Sequence, residues 1–304
     1  MSAIFQAPPA LRPHDRVAVI APASGFERSA FEAGLAVIAA RYRTEYGDGM
    51  FERERYLAGS DARRLAELRA ALADPGIRAV FCVRGGYGAT RLLAELAAHA
   101  PQGAPKPLVG FSDITALHQW QQRHGFISIH GPVLTQLGRL GRGTSERLFS
   151  LLESSSPAAP LHGTATFVEG TAEGPLLGGN LSVFTRLLGT PFMPSLDGAV
   201  LLLEDVGERP YRLDRMWMHL ELAGVFRKVS GIALGSFTHS EERDATYTSE
   251  DLLRELAVAT GLPCVAGFPI GHGDINEPVP LGVRVRLDGA AGRLTFLEPA
   301  VSEQ

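Results

Sequence analysis

Short apolar runs alternate with helix-patterned segments through the first half of the chain, and few folds accommodate that alternation. Arg16-Val17-Ala18-Val19-Ile20-Ala21 closes on Pro22-Ala23-Ser24-Gly25 and reads as a buried first strand. Residues 30–42 then place Phe31, Leu35, Val37 and Ile38 at helical spacing. Ser60-Asp61 can cap a second helix over 63–72, which Asp74-Pro75-Gly76 ends. A strand at 77–83 runs into Arg84-Gly85-Gly86-Tyr87-Gly88 and a helix at 89–100, and a strand at 107–111 meets Ser112-Asp113 and a helix at 114–123. These repeated units predict an α/β fold: a doubly wound, mostly parallel sheet with helices on both faces. Its functional loops should lie at the C-terminal strand ends.

The alternation breaks between 141 and 174, where Ser154-Ser155-Ser156-Pro157-Ala158-Ala159-Pro160 brings in polar and Pro residues. We read 1–150 as an N-terminal α/β domain, 151–174 as a linker and 175–304 as a smaller, strand-rich mixed α/β domain. The last of these offers strands at 199–204, 231–237 and 264–270. Strands at 283–287 and 293–297 form a hairpin across Asp288-Gly289-Ala290-Ala291-Gly292. Leu213, Met216, Trp217 and Leu220 make one apolar face of a helix over 211–222. A cleft between two such domains is a common place for a ligand pocket.

Charge and composition exclude several classes of function. The 29 basic and 33 acidic residues leave a net charge of −4, and no stretch gathers Lys and Arg into a stripe, so nucleic acid is not an expected partner. No apolar run approaches the ~20 residues of a membrane-spanning helix, so no membrane insertion is expected either. The first nine residues lack the basic start and apolar run of a secretory signal, and a cytoplasmic protein is expected. Cys82 and Cys264, the only two cysteines, each sit inside an apolar segment and read as buried, reduced thiols.

Four segments carry residue types suited to catalysis. In Gly110-Phe111-Ser112-Asp113 a serine falls at a strand-to-helix junction, where a sharp turn lifts the hydroxyl and aims the next N–H at a developing oxyanion. Residue 114 is Ile, so the sequence is not a full G-x-S-x-G, and a helix cap is the plainer reading of Ser112 or Asp113. Arg84-Gly85-Gly86-Tyr87-Gly88 can present backbone N–H groups to a ligand or serve as a structural turn; it matches no nucleotide fingerprint. Glu204, Asp205 and Glu208 end an apolar strand, and one of them can orient a histidine, although a solvated acidic turn is commoner. His272 lies between Gly271 and Gly273, which leave an imidazole accessible for general base work. With Asp274 it offers two metal ligands, but no HxxxH or HExxH spacing accompanies them, so no metal and no cofactor are expected. His118, His124, His130, His219 and His239 read as structural.

Taken together, Arg84-Gly85-Gly86-Tyr87-Gly88, Gly110-Phe111-Ser112-Asp113-Ile114-Thr115, Leu203-Glu204-Asp205 and Gly267-Phe268-Pro269-Ile270-Gly271-His272 resemble the LD-carboxypeptidase (murein tetrapeptide carboxypeptidase) family. Tyr56-Leu57-Ala58-Gly59-Ser60-Asp61, Gly178-Gly179-Asn180-Leu181 and Tyr211-Arg212-Leu213-Asp214-Arg215 extend the resemblance over nearly the whole chain. It implies a serine peptidase that releases terminal D-alanine from murein tetrapeptide in cell-wall recycling, by cleaving its bond to the L-configured centre of a diamino acid. It further implies Ser112 as nucleophile, His272 as general base and Glu204 as the acid that fixes the imidazole, with Asp113 and Gly86 N–H groups forming the oxyanion hole. Arg84, beside Gly85, is our candidate for holding the substrate's terminal carboxylate. A homodimer is what the family leads one to expect. Two other readings are a microcin-immunity-type serine peptidase of the same fold and a non-catalytic peptide-binding protein. The former needs an aromatic to stack on a nucleotide, and Trp120 and Trp217 both sit in patterns that look like packing.

Overall fold

The computed structural model describes residues 5–97, 103–242 and 246–303. In chain order the first half runs β1 (Arg16–Ile20), α1 (Arg28–Ala39), β2 (Arg43–Glu45), α2 (Asp61–Ala73), β3 (Ile77–Cys82), α3 (Leu93–Ala97), β4 (Leu108–Gly110), α4 (Thr115–Arg123), β5 (Ser128–His130), α5 (Leu134–Leu137) and α6 (Arg142–Glu153). The second half runs β6 (Leu161–His162), β7 (Ala165–Val168), β8 (Thr171–Asn180), α7 (Leu181–Thr185), β9 (Val200–Val206), α8 (Pro210–Leu222), β10 (Gly231–Thr238), α9 (Ser249–Thr260), β11 (Cys264–Ala266), β12 (Val279–Leu281), β13 (Arg284–Asp288) and β14 (Arg293–Phe296).

The first sheet has the order β12-β5-β4-β3-β1-β2 and is parallel except for β12, which pairs antiparallel with β5. Strand periodicity explains why both its faces are covered. Val17, Val19, Ala79 and Phe81 point into one core with Phe31 and Ile38 of α1, while Ala18, Ile20, Val80 and Cys82 point into another with Leu68 and Leu72 of α2 and Trp120 of α4. The doubly wound arrangement expected from the sequence is therefore present, with Ser60 accepting from Arg63 N–H at the start of α2. Strand order reverses about β1, so the loops after β1 and β3 diverge from a shared crevice at the carboxyl edge, where ligands bind in sheets of this kind.

The second sheet has the order β6-β14-β13-β8-β9-β10-β11-β7, with a parallel centre from β8 to β11 and antiparallel flanks. Leu201 and Leu203 of β9 pack toward α8 through Leu213, Trp217 and Leu220, and Val200 and Leu202 pack toward β12 and β13. The segment 151–174 is not a plain linker: residues 151–153 close α6, the Ser- and Pro-rich stretch 154–160 is irregular, and β6, β7 and the start of β8 follow as strands of the second sheet. Short, half-exposed edge strands carry too little periodicity to be read locally. The strand expected over 264–270 stops at Ala266, because Gly267 adopts φ 73° and Pro269 has no N–H to give a ladder. The helix expected over 89–100 opens as a 3-10 turn at Ala89–Leu92 before α3, and residues 98–100 lie outside the described residues.

Candidate active site

β4 ends at Gly110, Phe111 is extended, and Ser112 turns the chain with φ 63° into a 3-10 turn, Ser112–Ile114, that leads into α4. A non-glycine residue held in that region stores strain, a recurrent property of functional turns. The absence of a small residue after the serine has a local remedy. A Cβ on Gly110 would stand 3.0 Å from both Cγ atoms of Ile114, so the glycine at one end of the turn makes room for the isoleucine at the other.

The turn 84–88 lies against this serine. A Cβ on Gly85 would be 2.8 Å from Ser112 Cβ and 3.1 Å from its Oγ, while Gly86 and Gly88 have φ 87° and 134°. Ser24, from the loop after β1, fixes the turn in place: its N–H donates to Gly85 O (3.1 Å), and its Oγ accepts from Tyr87 N–H (3.0 Å) and donates to Tyr87 O (3.2 Å). The exposed Arg84 donates from Nη1 to Gly25 O at 2.6 Å and is in no ion pair with an acid among the described residues.

β9 and the loop after β11 supply the acid and the imidazole. His272 Nδ1 donates to Glu204 Oε2 at 2.6 Å, and Glu204 is fully buried. Gly271, at φ 104°, permits this: a Cβ there would collide with the Glu204 carboxylate. Burial disfavours the protonated imidazole, but the hydrogen bond and charge of Glu204, with the charge of Asp205 behind it, outweigh that and raise the His272 pKa above its ordinary value. The neighbouring acids have other partners. Asp205 accepts from Asn180 Nδ2 (3.0 Å), Ser182 N–H (2.8 Å) and Val206 N–H (2.8 Å), and Glu208 meets Arg212 at 3.5 Å. Burial, with the charge of Glu204, pushes the Asp205 carboxyl up to about 6.

Phe111, the residue before Ser112, has its ring 4.6 Å from the imidazole of His272, so the serine turn of the first sheet and the acid–imidazole pair of the second meet at one place. Sequence reasoning missed the residue that holds the histidine loop. Asn276, fully buried, accepts from Gly271 N–H through Oδ1 (2.9 Å) and donates from Nδ2 to Gln136 Oε1 of α5 (3.2 Å). Nothing local in 273–277 distinguishes Asn276 from a loop residue. Asn180, by contrast, stands before an apolar run as an N-cap does, and it accepts from Val183 N–H.

His118 Nε2 lies 2.8 Å from Gly110 O and His124 Nδ1 lies 2.8 Å from Trp120 O, both structural roles. His130 differs: it is fully buried, and neither ring nitrogen has a hydrogen-bond partner among the described residues, so burial holds its pKa well below the ordinary value. Among the described residues no group of three or more His, Cys, Asp or Glu is placed to hold a metal. Trp120 and Trp217 are core residues, which leaves neither for stacking on a base.

Comparison with known proteins follows the same division into two halves. Residues 17–131 match the LD-carboxypeptidase N-terminal domain and residues 173–287 the LD-carboxypeptidase C-terminal domain. The chain is 39% identical over 292 residues to the murein tetrapeptide carboxypeptidase of Pseudomonas aeruginosa, covering 90% of this chain and 93% of that protein. The crystal structure of muramoyltetrapeptide carboxypeptidase from Oxalobacter formigenes superposes with a TM-score of 0.81 at 30% identity, covering 92% of this chain and 97% of that one. The microcin C7 self immunity protein MccF in its wild type apo state gives a TM-score of 0.86 at 21% identity over 98% of this chain and 100% of its own, a likeness of fold.

Proposed function

The chain belongs to the LD-carboxypeptidase family, and from that premise we propose that it is a serine carboxypeptidase that releases the terminal D-alanine of murein tetrapeptide. The observation that carries the proposal is the Glu204–His272 hydrogen bond of 2.6 Å, set beside the strained turn that bears Ser112.

In this reading Ser112 Oγ attacks the scissile carbonyl carbon while His272 Nε2 takes its proton, and Glu204 holds Nδ1–H and stabilises the imidazolium. The oxyanion accepts hydrogen bonds from Asp113 N–H and Gly86 N–H. His272 then gives its proton to the departing D-alanine amine, and water, deprotonated by the same imidazole, releases the peptide and restores Ser112. Arg84 is in no ion pair with an acid among the described residues, and together with Gly85 it serves the substrate's terminal carboxylate. A role in cell-wall recycling, carried out by a cytoplasmic homodimer, goes with this reading; light scattering of the purified chain decides the assembly.

Two measurements test the proposal. A fluorophosphonate probe should modify Ser112 of the wild-type chain, and His272→Ala should abolish the reaction. Ser112→Ala should keep tetrapeptide affinity while D-alanine release falls by at least ~10³-fold. A Ser112→Ala chain that releases D-alanine at the wild-type rate refutes the assignment. A folded wild-type chain that resists the probe and leaves tetrapeptide intact points to the binding protein instead.

A further inference from the structure

Asp113 follows the serine at the start of a helical segment, where an acidic side chain would ordinarily cap its own helix. It does not do so here. Its carboxylate is buried and accepts from Ala89 N–H at 2.7 Å, 24 residues away in sequence. Ala89 opens the 3-10 turn Ala89–Leu92, whose N-cap, Gly88, has no side chain to offer. Asp113 therefore caps, from across the site, the turn that follows 84–88. Fully buried Arg64 steadies the same place from α2, donating to Gly88 O at 2.9 Å and Pro22 O at 2.6 Å and pairing with Asp61.

The consequence is geometric. The glycine turn already touches Ser112 through Gly85, and the side chain next to Ser112 ties down the far end of that turn. We propose that the Asp113 carboxylate is a positioning residue that sets the distance between Ser112 and the turn 84–88, and so aligns the two N–H groups that receive the oxyanion. This rests on the serine peptidase reading above. Without the acceptor on Asp113, Ala89 N–H loses its partner, and the Ala89 end of the turn can drift from the serine and take Gly86 N–H with it, while Arg84, tied to Gly25 O, and Gly85, tied to Ser24 N–H, stay in place to hold the substrate's carboxylate.

The test uses Asp113→Ala and Asp113→Asn in the full chain, with kcat and KM for D-alanine release, fluorophosphonate labelling rate and thermal melting. Asn keeps a side-chain oxygen that can accept from Ala89 N–H; Ala does not. In Asp113→Ala, kcat and labelling rate should fall together by about 10²-fold, comparable to loss of one oxyanion donor, with KM within about threefold of wild type. Asp113→Asn should recover most of that loss. Should Asp113→Ala fail to fold, the Asn variant still decides: a kcat within about tenfold of wild type supports the proposal, and a larger loss overturns it. An unchanged kcat in folded Asp113→Ala, or a loss borne by KM alone, also overturns it. If the wild-type chain itself neither labels nor releases D-alanine, the serine peptidase reading fails first.

Discussion

As the proposed base, the imidazole of His272 works only when neutral, so the raised pKa that Glu204 gives it should delay activity to higher pH. The rising limb of kcat/KM against pH should therefore lie above the pKa of a free imidazole. Glu204→Gln removes the charge that outweighs burial, and the limb should move to lower pH while kcat falls on the order of 10²–10⁴-fold, since the imidazolium formed during attack loses its counter-charge. A limb that stays in place in the Gln variant would show that another group raises the pKa. Asp205 cannot take over, because its oxygens are engaged by Asn180, Ser182 and Val206.

Turns between elements bring these side chains together, and the glycines in them are steric requirements. Gly85→Ala places a methyl 2.8 Å from Ser112 Cβ, so the serine turn or the glycine turn must shift. The expected cost is about 1–3 kcal/mol of stability, with a loss of kcat larger than that figure alone implies, read by urea unfolding and D-alanine release on the same sample. The same local character made this part of the site legible beforehand. Apolar runs ending in Arg84-Gly85-Gly86 and in Ser112-Asp113 signal strand, turn and helix within a few residues. Glu204 and Glu208 could not be separated that way, because β9's register, which sets Glu204 opposite Asn180 of β8, decides which acid faces the histidine. Leu161-His162 and Val279-Pro280-Leu281 escaped for a related reason. Their partners, β14 and β5, are far away in sequence, and Pro280 reads as a loop residue although an edge strand tolerates it.

The two halves are stitched together at several points, each close to the site. Thr115 Oγ1, at the start of α4, accepts from Asn180 N–H (3.0 Å), Gln119 Nε2 donates to Gly178 O (2.9 Å), and Asn276 joins the histidine loop to Gln136. Asn276→Ala leaves Gly271 N–H and Gln136 Oε1 without those partners in a buried place. It should cost roughly 1–3 kcal/mol per group and lower kcat in the folded chain by at least about tenfold, because Gly271 precedes the proposed base His272. Chemical denaturation and turnover measured side by side check this; a destabilised chain with normal kcat would make Asn276 a packing residue only. β12 completes the union, since a strand from the later half closes the edge of the earlier half's sheet. On a ribosome, the hydroxyl of the proposed triad emerges long before its base, and the neighbouring edge stays open until β12 has followed. The growing polypeptide is thus unarmed while it is being made, and truncated products released early should be hydrolytically silent and prone to stick to one another along that bare edge.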